Sequence, residues 1–105
     1  MSDKPEIAEV QQMPLADLLR DYRDGDEHGW DTEFAYLRRN HADRLRRLNH
    51  SVAVEGIREP ILLGNDGRVW DGHHRLCSAH DLGLATVPVT YPPEGVALMR
   101  KREVR

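Results

Sequence analysis

Gly72, His73, His74 and Arg75 follow directly on the short apolar run that ends at Asp71, and a stretch with helical spacing begins there. A strand that passes through a glycine into a helix leaves the helix's first backbone N–H groups without acceptors, with the positive end of the helix dipole behind them. Such an arrangement attracts anions. Glycine at 72 permits a sharp turn and the close approach of a ligand, and Asp71 is expected to cap the helix through a backbone N–H. Arg75 suits phosphate because its planar fork makes paired, charge-assisted hydrogen bonds. His73 and His74 are conditional donors. A bound phosphate favours their protonated forms, so binding is expected to weaken as pH rises through the histidine range, and either imidazole could instead act as a general acid or base. The competing reading of the same residues is a helix start with surface histidines.

Two other chemistries are carried by the same segment. His73, Cys77 and His80 are spaced by four and three and would share a helix face as metal ligands, but a closed zinc site needs a fourth ligand, so no metal site is assigned. Cys77 lies one turn inside the helix, away from the exposed amides that lower a thiol's pKa, and reads as core.

The elements that must hold this site can be read from period and punctuation. A short strand is expected around Ile7–Met13, with Pro14 in the first turn of a helix carrying Leu15, Leu18, Leu19 and Tyr22. Six acids between Asp21 and Glu33, two glycines and Trp30 mark a solvated loop at about 23–33, anchored by the tryptophan. From Thr32 the helical pattern runs through Phe34, Leu37, Ala42, Leu45, Leu48 and Val52. Arg38, Arg39, Arg44, Arg46 and Arg47 flank that stripe, either pairing with the acidic loop or forming a phosphate-facing ridge. Gly56 closes the helix, Pro60 opens a strand to Leu63, "GNDG" turns the chain, and Arg68–Asp71 completes a hairpin. A helix from His73 to Leu82 ends at Gly83, and "ATVPVTY" forms the last strand. The expected organisation is a flexible start at 1–6, one domain at 7–91 and a basic tail at 92–105.

The 105 residues fit one domain with a modest core, and 39% hydrophobic with 31% charged content is ordinary for a soluble protein. A net charge of −3 supplies no global attraction to nucleic acid, so any polyanion site must be local. One cysteine excludes an internal disulfide and fits a reducing compartment. No apolar run approaches the ~18 residues of a membrane span, and Met1–Glu6 lacks the build of a signal peptide, so the expectation is a cytoplasmic protein without membrane partners.

Ser51 to Tyr91 closely resembles the ParB/sulfiredoxin superfamily. Gly56, Ile57, Pro60 and Ile61 match the family's "G-I-x-x-P-I" strand, Gly72–Arg75 its phosphate box, and Leu82, Gly83, Val87, Pro88 and Val89 its closing "LG-x-x-x-VPV". "QQMPLADL" looks like the family's opening strand and turn. The resemblance implies an α+β fold, a single compact ParB/sulfiredoxin-like domain with a small mixed sheet and helices packed around it. It also implies that Gly72, His73, His74 and Arg75 contact nucleotide phosphates. Partitioning ParB proteins hold CTP with a glycine, a glutamate and arginines, whereas sulfiredoxins bind ATP with glycine, cysteine, histidine and arginine. The "DGHHR" of this chain is closest to the free serine kinases. His73 stands where sulfiredoxins have their catalytic cysteine, which argues against repair of cysteine sulfinic acid. No helix-turn-helix is expected after Tyr91.

Three functions follow as expectations. The first is binding of a nucleotide, CTP or ATP/ADP, with or without Mg²⁺, and with weak NTPase or phosphoryl-transfer activity. Asp71, Glu59, His73 and His74 are its candidate catalytic residues. The second is a ParB-like nuclease gripping DNA through the same box. The third is a module that binds a host or partner protein through the acidic loop, with a vestigial pocket. Stand-alone domains of this kind are common on phages and mobile elements.

Overall fold

The structure, a computed structural model, describes residues 9–92. The expected flexible start, Ile7 and Ala8 of the first strand, and all of the basic tail except Pro92 lie outside the described residues. Along the chain run β1 (Gln11–Pro14), α1 (Leu15–Asp21), α2 (Trp30–Asn40), α3 (Ala42–Glu55), β2 (Ile61–Leu63), β3 (Val69–Asp71), α4 (His73–Leu82) and β4 (Thr86–Thr90).

The strands form one mixed sheet in the order β1-β4-β2-β3. β4 lies antiparallel to β1, with Met13 opposite Val87, and parallel to β2, with Ile61 opposite Val89. β2 and β3 are the antiparallel hairpin that "GNDG" predicts, with an irregularity in register between Leu62 and Leu63. Its turn is held by Asp66, whose Oδ1 accepts the N–H of Arg68 at 3.1 Å and the indole N–H of Trp70 at 3.1 Å.

Alternation explains the buried side of the sheet. Ile61 and Leu63 of β2, and Val87 and Val89 of β4, are fully buried. Each such side chain contributes about 1.5–3 kcal/mol relative to exposure. α4 packs Leu76, Cys77 and Ala79 into this core, and α2 and α3 lie against α4 with Phe34, Leu37 and Leu45. Both helix stops are glycines as expected. Gly83 sits at φ 73° and Leu84 N–H returns to Ala79 O at 2.9 Å, while Gly56 closes α3 at φ 78°.

Besides α2 beginning at Trp30, inside the loop expected at about 23–33, the structure departs from the expected elements in three places. Pro14 ends β1 and precedes α1, rather than lying in its first turn. The helical pattern from residue 32 onward is two helices, broken at His41, which sits at φ −128° and ψ 39°. His41 N–H closes α2 on Leu37 O at 2.8 Å, and its carbonyl accepts Leu45 N–H at 3.0 Å. The break lets α2 and α3 each lay an apolar stripe on α4, which one straight rod could not do. Third, the acidic loop is not simply solvated. Asp24 is 1% exposed and its carboxylate accepts the N–H groups of Asp26, His28 and Gly29 at 2.8–3.2 Å. Trp30 does anchor the loop, as its indole N–H donates to Tyr22 O at 2.8 Å. The loop's acid Glu27 pairs with Arg23 and Arg68 rather than with the arginines of the helices.

Candidate functional site

β3 delivers the chain to Gly72, which takes φ 120° and ψ 18°. A Cβ there would sit 2.8 Å from Ile61 Cδ1, so glycine is required by both backbone and space. α4 then starts with no side-chain cap, and its first turn closes with Leu76 N–H on Gly72 O at 2.9 Å. The N–H groups of His73, His74 and Arg75 therefore have no acceptor within the helix. The expected cap by Asp71 does not form. Its carboxylate instead reaches along the helix to Arg75 Nη2 at 3.2 Å, because an exposed acid four residues from an arginine gains more from that charge than from a neutral amide.

The four side chains of the box divide into distinct roles. The His73 ring is held between Glu33 Oε2, 2.8 Å from Nδ1, and Val69 O, 3.3 Å from Nε2, with Trp30 packed edge-on at 5.3 Å. Its side chain is spent on α2 and β3. Arg75 is only 17% exposed and donates to Glu59 O at 2.8 Å and Pro60 O at 2.9 Å. That leaves Arg75 chiefly a tie between α4 and the start of β2. His74 faces α3: its Nε2 lies 2.8 Å from His41 Nδ1. Burial, and then Arg44, His41, His73 and Arg75, push the His74 imidazole down to about 4. Glu59 and Asp71 remain at the rim with strongly exposed carboxylates.

Two cavities meet around His74. One, of about 320 Å³, opens over Gly72 and the start of α4. The other, of about 450 Å³, runs along α3, with Leu48, Val52 and Ile57 on its apolar side and Ser51, Arg47 and Arg58 on its polar side. Arg44, His74 and Arg75 line both. Arg58 is paired with Glu55 at 2.9 Å, but among the described residues Arg44 and Arg47 have no acidic partner. The cavities thus concentrate positive charge beside uncapped amides, next to apolar surface. This is a setting for a molecule with an anionic end and a flat or apolar body.

His41, Arg44 and Arg47 belong to this site although the box does not contain them. His41, Arg44, Arg47 and Ser51 recur at spacings of three and four, so one polar stripe of α3 was readable as a face, but not what it faced. Cys77 is fully buried and its thiol is pushed up to about 11, first by burial and then by Asp81, which makes it a poor nucleophile. Among the described residues, no three His, Cys, Asp or Glu side chains gather where they could hold a metal ion, and no helix is long and apolar enough to cross a membrane.

The structure of sulfiredoxin from Arabidopsis thaliana is similar with a TM-score of 0.61 and 20% identity, over 92% of this chain and 98% of that one. A Pnob8-like ParB-N domain is similar with a TM-score of 0.58 and 14% identity, over 97% of this chain. The chain spans 35% of the length of that second protein. No family model and no curated protein matches the sequence. The likeness is one of fold: the chain has the α+β architecture of ParB-N and sulfiredoxin domains.

Proposed function

We propose that the chain binds a nucleoside di- or triphosphate, with the phosphates over the amino end of α4 and the nucleoside along α3. The observation that carries this reading is the pair of guanidiniums Arg44 and Arg47, without an acidic partner among the described residues, with Arg44 lining both the cavity along α3 and the one over the uncapped amides of α4. An arginine without a carboxylate partner, beside free N–H groups, is poised for a multiply charged anion. The apolar side formed by Leu48, Val52 and Ile57 favours a nucleotide over inorganic phosphate alone. Mg²⁺ would arrive with the nucleotide, with Asp71 and Glu59 as the exposed carboxylates nearest to receive it. Turnover is a further expectation of the same proposal, with His74 as the box imidazole left beside the ligand.

Calorimetric titration with ATP, CTP and ADP, with and without Mg²⁺, tests this. Binding by the wild type that weakens about tenfold or more in Arg44→Ala with Arg47→Ala supports it, the loss expected for charge-assisted hydrogen bonds. A folded wild type that takes up none of these nucleotides, or a double variant with unchanged affinity, overturns it.

A further inference from the structure

His41 reaches the site from outside the box. Its Nδ1 is 2.8 Å from His74 Nε2, and the two ring centroids are 5.0 Å apart with planes 16° from parallel. These values place the rings edge to edge, not face to face. Such a contact holds one hydrogen, since two opposed N–H groups would repel. His41 is fixed independently of His74: its backbone joins two helices, and the Tyr36 ring packs against it at 5.8 Å and 74°. Among the described residues, the second ring nitrogen of His74, Nδ1, has no partner, and the ring lines both cavities.

The hydrogen in the contact has two directions. If His74 donated from Nε2, a neutral His74 would have a bare lone pair on Nδ1, which repels a phosphate oxygen. If His41 donates, a neutral His74 carries its hydrogen on Nδ1 and can serve an anion without being charged. The charged and titratable groups facing His74 are Arg44 from α3, His41 from the α2–α3 junction, and His73 and Arg75 from α4 itself. They disfavour a further positive charge in the absence of a ligand.

We propose that His41 is a positioning residue of the anion site: it donates its Nδ1–H to His74 Nε2 and so keeps the His74 hydrogen on Nδ1, free for a phosphoryl oxygen. This rests on the reading of the groove as an anion site. It adds a residue 31 positions before the box, and a neutral donor to a site otherwise made of cations and amides.

Ring-nitrogen NMR correlation spectra of the histidines, combined with pyrophosphate titration, test the role. In the wild type His74 is expected to carry its hydrogen on Nδ1. In His41→Ala it should revert to the Nε2–H form that unconstrained imidazoles favour, with pyrophosphate binding weakened about tenfold. His41→Asn can place its amide nitrogen where Nδ1 stood, and should retain both the tautomer and most of the affinity, which a merely structural loss would not explain. Pyrophosphate binding that is intact, with a His74 tautomer unmoved in His41→Ala, overturns the role of His41 alone. An Nε2–H form in the wild type does the same. Absence of pyrophosphate binding by a folded wild type that binds ATP overturns this inference alone, and absence of both overturns the anion reading with it.

Discussion

Arg75 Nη1 lies 2.9 Å from the main-chain oxygen of Pro60, the residue that precedes β2, and 2.8 Å from that of Glu59. A guanidinium that satisfies two successive carbonyls holds the start of one strand against the first turn of α4. Arg75→Ala is therefore expected to cost about 3 kcal/mol of folding stability, because both carbonyls lose a charged donor. Arg75→Lys should recover less than half, since a single ammonium cannot hold both carbonyls as Nη1 does and at the same time reach Asp71 as Nη2 does. Urea unfolding of the two variants checks this, and an Arg75→Ala protein as stable as wild type would rule out the tie.

A second expectation concerns pH. The His74 imidazole, at about 4, lies below its ordinary 6.5. Between those values the unfolded chain binds a proton that the folded chain does not. Stability is therefore present above pH 6.5 and is lost as pH falls towards 4. Urea midpoints measured across that window should fall less steeply in His74→Gln than in wild type. Equal slopes would mean that His74 is not held neutral in the fold.

Asp24 offers a test far from the groove. Its buried carboxylate takes three part-buried backbone N–H groups, so Asp24→Ala removes their shared acceptor and with it the order of the loop, at an expected cost of about 2 kcal/mol. Asp24→Asn keeps one acceptor oxygen and should cost less. Thermal unfolding gives the order of the two variants, and amide exchange at Asp26, His28 and Gly29 should quicken in both.

Gly72 and Gly83 separate backbone strain from crowding. Both have positive φ, but a Cβ at Gly83 meets open space whereas one at Gly72 meets Ile61. Gly83→Ala is expected to lose about 1 kcal/mol, and Gly72→Ala about 3 kcal/mol, because overpacking adds to strain. Chemical denaturation of the two variants should show that difference.

The elements that sequence reveals are those whose signals are local. Gly56 and Gly83 stop helices because few other residues adopt their dihedrals, and "GNDG" turns a hairpin on its own chemistry. The start of α4 at His73 was legible for the same reason. The break at His41 was not, because "RNHAD" contains neither glycine nor proline and the bend arises from packing on α4. Asp24 reads as one acid among six, since nothing along the chain shows three amides closing around it. In the box, Gly72 and the exposed amides follow from the strand-to-helix turn. The division of labour among His73, His74 and Arg75 depends on Glu33, His41 and Pro60, which are distant in sequence.

The pairing of β1 with β4 has a consequence for how the molecule assembles. Gln11 lies opposite Val89, so this clasp joins the two ends of the described chain. The groove, by contrast, is built from a contiguous stretch between His41 and Arg75, in which His41 and His74 are 33 residues apart, against 78 for Gln11 and Val89. Closing the shorter loops costs less entropy than closing the longest one, so contacts within the groove are favoured to form before the end-to-end clasp. The order of folding that this topology favours is one in which the pocket takes shape first and the terminal strands lock it afterwards.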